Sequence, residues 1–486
     1  MDVFSLIVDL RLCSAPSTKP SPCTPLPPIT EVLSALQRQL IGSADGTSDR
    51  CSLIGGLEQL FHAADPDWLF APGNHSWAEL QAVVHALIGC AAVPLCEDEC
   101  ASVSTVVNQN TLHYAAAVSS ALSALLRILG KRQESHTLLP VLTPPIIVFA
   151  VSHQKCVEAA LHLQEALLSA GCWTDSAHML QDRGILGKVL DLLQPQLTRD
   201  TWWRCEATKK VFTWTLLQVT GPSLSPLLPR LLPPSLLFND DYRAENCVMG
   251  VVCLHHIVLN MAAADLLHFN RAELIYQAVF KHLHNSESTV LQVVLPCLFD
   301  ILLVLEPVPS SSALSSSRRK PCRHDDVLHL LLTHMEVEPK VSLRRIYASA
   351  LPYLITRMGV CVCRHLQRVL RVLLSYLQVR DGPEETNTLS MLRALQELCR
   401  VAWPRMQPRA QAFLRPLLIL LIDVSSNSEL DVSVRRRLME ETLTAVRLLD
   451  VCSHGRIQSL LLQLDSSVCS SEVLGHLATV SMAMDR

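Results

Sequence analysis

The sequence predicts an all-α protein, an α-solenoid built from HEAT/armadillo-like helix pairs. Apolar residues make up 49% of the 486 residues, whereas only 16 residues are glycine. The apolar positions recur at helical spacing, so the chain offers little material for strands and tight β-turns. Helix pairs recur about every 35 to 45 residues without a sharp consensus, which is typical of HEAT and armadillo arrays. Each pair is expected to bury its apolar face only against its neighbours.

The N-terminal half begins with a segment that cannot hold helical hydrogen bonds. Residues 1–29 contain a run rich in proline and serine, so we expect a flexible segment there and order from about Thr30. A helical region is expected over 30–221, in which Gly130 and Gly171 close two helices because glycine tolerates the left-handed cap.

Apolar spacing and prolines divide this region further. Trp203 and Trp214 lie about three helical turns apart, so we expect both on one face of a helix over 199–219. An amphipathic pattern predicts a helix over 153–170, after a proline-rich turn. Prolines also interrupt the stretch 222–234, which is expected to form short turns between the two halves. The prolines of the earlier turn are Pro140, Pro144 and Pro145.

The C-terminal region, residues 235–486, has regular helical spacing and one polar interruption. Residues 307–324 are rich in serine and proline and predict a disordered loop. Its serines lie beside Arg318, Arg319 and Lys320, so the loop is either a phosphate acceptor or a passive insertion. The expected helices span roughly 242–262, 270–284, 287–305, 325–336, 341–357, 361–379, 384–402, 407–424 and 431–450.

Composition argues against several classes of function. A formal net charge of −4 argues against a nucleic-acid-binding protein, which needs a basic surface to displace counterions from phosphates. The 18 cysteines are scattered through a large apolar chain that lacks the basic start of a signal peptide, so we expect a reducing, cytoplasmic and nuclear location. Residues 290–308 approach the length of a membrane span, but Pro296, Asp300 and Glu306 favour a buried helix and no membrane.

The sequence contains no motif of a catalytic, phosphate-binding or zinc-protease site, so we predict a protein that is not an enzyme and needs no cofactor. The best metal-ligand candidate is Cys361, Cys363 and His365, but helical spacing points the middle residue away from the other two. His255 and Asp240 are about fifteen residues apart, so a continuous helix would separate them by roughly 22 Å, too far for acid–base chemistry. We therefore expect neither catalytic residues nor metal ligands.

Charged side chains are the better candidates for binding a partner protein. One set, at the entrance of the helix expected over 242–262, either stabilises the helix start or contacts a partner. A second set follows i, i+4, i+7 spacing on the helix that begins at Cys361, and this basic stripe is either a solvated face or a site for an acidic protein. The first set is Asp240, Asp241, Tyr242, Arg243 and Glu245, and the second is Arg364, Arg368 and Arg371.

The most specific feature is the segment 238–260, which reads FNDDYRAENCVMGVVCLHHIVLN. It resembles the central motif of the Tel-two-interacting protein two family, and four further matches follow it along the chain. The resemblance extends over roughly residues 235–460. The further matches are Leu343-Arg344-Arg345-Ile346-Tyr347-Ala348, Asp381-Gly382-Pro383-Glu384-Glu385, Trp403-Pro404-Arg405 and Leu448-Leu449-Asp450-Val451-Cys452-Ser453-His454-Gly455-Arg456.

This resemblance implies a non-catalytic scaffold subunit of the TTT cochaperone complex, which supports folding, stability and assembly of phosphatidylinositol-kinase-related protein kinases. The implied partners are the larger Tti subunit, the Tel-two subunit and those kinases, and indirectly the ninety-kilodalton heat-shock chaperone and a RuvB-like ATPase adaptor. DNA-damage and growth signalling would then depend on this protein. The alternative is a solenoid adaptor of nuclear-transport or phosphatase-scaffold type, which shares the architecture but lacks the segment 238–260.

Overall fold

The computed structural model consists of α-helices and short 3-10 helices, with no strand among the residues that it describes. The chain divides into two compact units. The first extends to Leu237 and includes residues 260–262, and the second comprises residues 238–259 and the chain from Ala263 onward. The described residues are 28–42, 47–70, 74–93, 109–132, 135–153, 158–306, 321–463, 473–475 and 477.

The first unit stacks its helices in two layers. Helix α1 packs on α4 and α4 on α6, while α2 packs on α5 and α5 on α7. This alternation is the arrangement expected of repeated helix pairs that bury their faces against neighbours. The helices are α1 (Ile29–Gly42), α2 (Thr47–Ala63), α3 (Pro66–Leu69), α4 (Asn74–Cys90), α5 (Gln109–Leu129), α6 (Ser135–His153), α7 (Glu158–Ala170), α8 (Ser176–Gln181), α9 (Ile185–Leu193), α10 (Glu206–Gln218) and α11 (Leu228–Asn239).

Two glycines end helices in this unit, as predicted, but for a different reason. Helices α5 and α7 stop directly before Gly130 and Gly171. Neither glycine has a positive φ, so neither forms the left-handed cap that we expected. A Cβ on Gly130 would lie 2.8 Å from the Cα of Ala170, and a Cβ on Gly171 would lie 2.2 Å from the Trp173 ring. Close packing therefore requires glycine at both positions.

The proline-rich turn predicted before residue 153 is instead part of a helix. Helix α6 runs from Ser135 to His153 through all three prolines. Proline removes its own N–H donor, so Pro144 leaves the carbonyl of Pro140 without its helical partner. The ammonium of Lys188, on α9, donates to that carbonyl at 3.0 Å. A tertiary hydrogen bond thus satisfies the Pro140 carbonyl, which Pro144 leaves without a helical donor, and the helix continues.

Other boundaries in the first unit also differ from prediction. The helix expected over 199–219 is interrupted, because Trp203 lies in a 3-10 helix and Cys205 is extended before α10 begins. Trp203 and Trp214 therefore do not share a helix face. The break places the Trp202 ring 5.5 Å from the buried ammonium of Lys209. Residues 221–227 form short 3-10 turns as predicted, but α11 then continues through Pro233 and Pro234.

The second unit has a regular two-layer stack, which confirms the predicted α-solenoid. Helices α15, α17, α19 and α21 pack in succession in one layer, and α16, α18, α20 and α22 pack in succession in the other. Between the layers, α14 packs on α15, α16 on α17, α18 on α19 and α20 on α21. The helices are α12 (Ala244–Asn260), α13 (Ala263–Leu267), α14 (Arg271–Phe280), α15 (Ser288–Leu305), α16 (Arg323–Val337), α17 (Val341–Met358), α18 (Leu366–Leu377), α19 (Thr386–Met406), α20 (Ala410–Ser426), α21 (Val432–Cys452) and α22 (Arg456–Leu461).

The turns of this stack alternate between two edges of the second unit. We call the first the acidic edge and define it by the turns 240–243, 338–340, 378–385 and 427–431. Side-chain contacts run along it, including the ion pair of Asp240 with Lys281 and the ring contact of His284 with His334 at 5.8 Å. We call the second the arginine edge. It consists of the turns 359–364, 403–409 and 453–456, of which the first is a 3-10 helix and the second includes the last residues of α19.

Two predicted segments fall partly or wholly outside the described residues. Residues 1–27 are outside, so the expected flexible N-terminal segment stays a prediction, and helix α1 begins at Ile29, close to the expected start of order. Residues 307–320 are also outside, but the last part of the predicted loop is helical, because α16 begins at Arg323. There the Asp325 carboxylate accepts from the amide of Cys322 at 2.9 Å, which stabilises the helix start.

Three described helical segments are long and apolar enough to cross a membrane by length and composition alone. All three pack against neighbouring helices within their own unit. In the most apolar of them, Asp300 forms a 2.7 Å contact with His255 of α12. The absence of a membrane partner stays a prediction. The segments are Asn110–Leu129, Ser288–Leu305 and Val341–Arg364.

Candidate partner-binding surfaces

The turn before α12 is positioned against the end of α14 by Asp240. One carboxylate oxygen of Asp240 lies 2.5 Å from the Nζ of Lys281 and accepts a 3.0 Å hydrogen bond from the side-chain amide of Asn239. The same amide donates to the carbonyl of Ala278 at 3.1 Å. Because both members of the ion pair are about half exposed, the pair contributes only about 0 to 1 kcal/mol. Its main effect is to fix where the turn lies.

The next residues leave an aromatic ring in solvent. The Asp241 carboxylate accepts hydrogen bonds from the amide of Tyr242 and from the side chain of Asn246, in the first turn of α12. Tyr242 is 73% exposed, and its hydroxyl accepts from the Nε of Arg243 at 3.1 Å. Glu245 is exposed in the same helical turn. Asp241 thus orders the helix start, while Tyr242 and Glu245 remain accessible to a partner.

Gly250 explains why α12 can approach the backbone of Phe238 and Asn239 so closely. A Cβ at this position would lie 2.1 Å from the backbone nitrogen of Asn239 and 2.6 Å from its Cα. Backbone atoms cannot yield as the end of a flexible side chain can, so only glycine fits. This contact holds the turn 240–243 at a fixed position relative to α12.

The segment 238–260 also contributes a cysteine that contacts a histidine. The Sγ of Cys247 lies 3.6 Å from the Nδ1 of His282, and both side chains are buried. Burial raises the pKa of the Cys247 thiol to about 11, although Lys281 opposes the rise. Burial also lowers the pKa of His282, and Lys281 acts in the same direction. A nucleophilic pair needs a thiolate beside an imidazolium, so the neutral, enclosed pair is a packing contact.

The three arginines expected on one stripe lie in different settings. Arg364 is not on α18 but in the 3-10 helix before it, because α17 ends at Gly359, whose φ is +54°. The predicted helix start at Cys361 is therefore wrong, and α18 begins at Leu366. Arg368 and Arg371 do lie on α18, and Arg371 is exposed.

Two of these arginines already pair with acids of α16. The guanidinium of Arg368 donates to both carboxylate oxygens of Glu336, at 3.1 and 2.9 Å. Arg368 also holds the pKa of Glu336 below its usual range through these hydrogen bonds. Arg364 donates to the buried carboxylate of Asp325 at 3.2 Å. The Arg368 pair joins α18 to α16 and the Arg364 pair joins the preceding 3-10 helix to α16, so both stabilise the stack.

Candidate metal ligands do not form the set considered from sequence. The Nε2 of His365 lies 3.0 Å from Asp325, so this histidine has a carboxylate partner. Among the described residues, one group of side chains lies close enough to hold an ion, and it comprises Glu306, Cys322 and His324. Its members already satisfy one another in part, because the Glu306 carboxylate accepts from the His324 ring at 2.9 Å. The prediction of no metal requirement remains a prediction.

The four shorter segments that match the family motif contact one another in two pairs. Arg345 lies 3.2 Å from the carboxylate of Asp381 and 3.6 Å from that of Glu384, which joins the first match to the second on the acidic edge. The ring of Trp403 meets that of His454 edge-on at 6.4 Å, which joins the third match to the fourth on the arginine edge. The matches therefore mark contacts between successive helix pairs.

Sequence reasoning missed Lys281 and the arginine edge for different reasons. Asp240 and Lys281 lie 41 positions apart in the sequence, and nothing in the local pattern around either residue predicts that they pair. The arginine edge did leave a signal. Arg364, Arg409 and Arg456 recur at intervals of 45 and 47 residues, close to the repeat period of the helix pairs.

Comparisons with known proteins agree with the resemblance found in the sequence. No family model matches the chain. Human TELO2-interacting protein 2 is 38% identical over 384 residues, which are 74% of this chain and 75% of that protein. Its mouse counterpart is 36% identical over 381 residues, which are 74% of each chain.

Solved structures show only distant similarity. A crystal structure of Kap121p bound to RanGTP has a TM-score of 0.47 at 16% identity, covering 94% of this chain and 45% of that chain. A crystal structure of importin beta has a TM-score of 0.45 at 11% identity, covering 93% and 52% of the two chains. The fold assignment rests instead on the helix contacts described above. The identity to human and mouse relatives over 74% of the chain places this protein in the TELO2-interacting protein 2 family.

Proposed function

We propose that this protein is a non-catalytic scaffold subunit of the TTT complex. The single observation that carries the proposal is family membership, because the relatives are named for interaction with TELO2 and match this chain over 74% of its length. The proposed direct partners are the Tel-two subunit and the larger Tti subunit. Through them the protein would stabilise kinases of the phosphatidylinositol-kinase-related class, in cytoplasm and nucleus, without nucleic acid or membrane.

The geometry of the second unit supports a binding role. Stacked helix pairs present side chains over a long surface, and obligate partners commonly bury more than about 2,000 Å² on such surfaces. The turn 240–243 offers an exposed ring at Tyr242, and aromatic residues are enriched among the side chains that dominate binding energy. The enclosed Cys247–His282 contact offers no accessible nucleophile.

Recovery of partners from cell extract tests the proposed function directly. The tagged full chain should co-purify with the two other TTT subunits and with their client kinases, as identified by mass spectrometry. Recovery should not change when a nucleotide-switched GTPase is loaded with GTP or GDP. Release of partners by the GTP-loaded GTPase would instead identify a nuclear-transport adaptor, and recovery of phosphatase subunits would identify a phosphatase scaffold.

The turn before α12 is proposed as one contact for these partners. Reversing Asp240 or Asp241 would also disturb the turn, so Tyr242→Ala combined with Glu245→Arg is the sharper change. We expect recovery of partners to fall about tenfold while the melting temperature stays within about 2 °C of wild type, since neither side chain is buried. Phe269→Ala is the matched control, because Phe269 is an aromatic of the same unit that is 76% exposed. Equal loss in the control would argue against a specific contact.

A further inference from the structure

The arginine edge concentrates positive charge that the fold neutralises only at Arg364 among its described residues. Its turns 359–364, 403–409 and 453–456 contain four arginines and no acidic residue. Three of the arginines are exposed, and none of those three forms an ion pair with a described carboxylate. Like charges gathered without counter-charges disfavour the folded chain slightly, so the stability of the fold does not account for this cluster. The three are Arg405, Arg409 and Arg456.

Apolar side chains interrupt this charge at regular intervals. Val360 is 56% exposed in the first turn, Trp403 is 51% exposed in the second, and Val451 is 61% exposed beside the third. The turns are contiguous, because α19 packs on the 3-10 helix 359–364 and the Trp403 ring meets that of His454. Arg405 also lies near enough to Cys363 to oppose the rise in the pKa of that thiol caused by burial.

The conformation of the chain around Trp403 is fixed by its neighbours. Ala402 is buried and has non-helical angles, with φ −128° and ψ 26°, inside α19. Pro404 has no N–H to donate to the carbonyl of Arg400, which weakens the helix at the same point. The edge-on contact with His454 then restrains the ring. An exposed aromatic that is already ordered loses little entropy when a partner binds, and Trp and Arg are the types most enriched at binding hot spots.

The spacing of the apolar residues indicates what shape of partner fits. Neighbouring packed helices are about 8 to 10 Å apart, so the three turns lie at intervals of about that size. Two turns of an α-helix span about 10.5 Å, so apolar residues seven positions apart on a partner helix would meet successive turns. The surrounding arginines would then face carboxylates on the flanks of that helix.

We propose that the arginine edge binds an acidic amphipathic helix of a partner protein. Its apolar residues would contact Val360, Trp403 and Val451, and its carboxylates would pair with Arg405, Arg409 and Arg456. The surface differs from the turn before α12, and the proposal stands whether or not the protein belongs to the TTT complex. Nucleic acid fits less well, because valine offers no stacking face and the whole chain carries a net charge of −4.

A synthetic helix tests the proposal with the full chain. The probe is a labelled peptide of about 18 residues, with leucine at every seventh position, glutamate on both flanks and alanine elsewhere. We expect saturable binding in fluorescence anisotropy, and at least tenfold weaker binding of peptides in which glutamate is replaced by lysine or leucine by serine. Absence of binding by the parent peptide, or equal binding of the leucine-free peptide, would overturn the proposal.

Substitutions on the protein locate the site. Arg405→Glu with Arg409→Glu, and separately Trp403→Ala, should each weaken binding of the acidic peptide at least tenfold. Glu429→Arg with Val432→Ala makes a matched pair of changes on exposed side chains at the acidic edge, and should leave binding within about twofold. Thermal unfolding of each variant checks that the chain is folded, and Arg456→Glu gives an independent test should Trp403→Ala unfold. Tighter binding of a single-stranded RNA oligonucleotide than of the peptide would assign the edge to nucleic acid instead.

Discussion

The two edges of the second unit differ in charge and in how the fold uses that charge. The turns of the acidic edge contain eight carboxylates and three cations. Some of these carboxylates are nearly buried and form ion pairs within the fold, such as Asp381 with Arg345 and Glu385 with Arg380. The arginine edge contains four arginines and no carboxylate. Only Arg364 among these four is paired with a described acid. Pairing, rather than the number of charges, therefore separates side chains that stabilise the stack from those available to a partner.

The largest effect is expected at the glycine that positions the acidic edge. Gly250→Ala would place a methyl group against the backbone of Asn239, so we expect a loss of about 3 kcal/mol or more in the free energy of unfolding. Urea unfolding of the full chain measures it. Gly55→Ala is the control, because a Cβ there meets no atom within 4 Å, and it should stabilise by up to about 1 kcal/mol. Similar effects of the two changes would show that the turn before α12 is not fixed by this contact.

The second test separates structural acids from available acids on one turn. Asp381 is nearly buried and accepts from Arg345 and from the amide of Asn387, whereas the side chain of Glu384 is 73% exposed. Asp381→Ala should lower the free energy of unfolding by about 2 kcal/mol, since it removes the nearly buried carboxylate that accepts from both Arg345 and the amide of Asn387. Glu384→Ala should lower it by less than about 0.5 kcal/mol. If both variants unfold at the same urea concentration, the distinction drawn between buried and exposed acids fails.

The third test concerns the pH dependence of stability at Glu306, which directly follows α15. Burial tends to raise the pKa of Glu306, but hydrogen bonds from Arg323 and His324 outweigh it and the pKa is lowered. A lowered folded pKa gives stability that is present above the ordinary glutamate value of about 4.3 and is lost as the pH falls through the folded value. Glu306→Gln should therefore cost about 1 kcal/mol at pH 7, and its deficit should shrink towards pH 3.

Urea midpoints measured from pH 7 to pH 3 give this comparison. A deficit of constant size across the range would mean that the Glu306 charge is not what stabilises the end of α15. Chelators serve as a second check on the same group. Removal of metal ions should leave the midpoint of the wild-type chain unchanged at both pH values. A fall on chelation would reveal a bound ion, for which Glu306, Cys322 and His324 are the candidate ligands among the described residues.

The smallest effect is expected at Arg368. Its two hydrogen bonds to Glu336 join α18 to α16 at a partly exposed site, so Arg368→Ala should cost about 0.5 to 1 kcal/mol. Binding of the acidic peptide should not change, because the guanidinium is already occupied. Arg371→Ala is the matched control on the same helix and should change neither quantity. Weaker peptide binding by Arg368→Ala would extend the arginine edge onto α18.

Much of the second unit could be predicted from its sequence because its apolar spacing is regular. The expected helices over 287–305 and 431–450 differ from α15 and α21 by two residues or fewer at either end. The helix boundaries that differ from this regular pattern depend on individual residues. Gly359 ended α17 and produced a 3-10 helix where the apolar stripe suggested continuous α-helix, which moved Arg364 away from Arg368.

The rest could not be predicted because it depends on contacts between distant residues. Three prolines in 19 residues predict a break, yet α6 continues because packing and Lys188 compensate for lost donors. The candidate site shows the same limit. The sequence singles out Asp240 and Asp241 as candidates, but only their distant partners Lys281 and Asn246 show that these acids position a turn. Exposure of Tyr242 likewise follows from where that turn lies.

The hydrogen bond from Lys188 to Pro140 has a consequence for synthesis on the ribosome. Helix α6 lacks backbone donors at three positions, so we expect it to be unstable until the chain has been extended past Lys188, 35 residues beyond its end at His153. At about 5 to 20 residues per second, that interval lasts about 2 to 7 s, during which the apolar α6 segment is exposed to chaperones. Stalled chains ending at residue 184 should show unprotected amides in 137–153, and chains ending well beyond residue 193 should show protected ones. We therefore expect that slower translation of residues 154–188 would lengthen the time for which the nascent chain is open to aggregation.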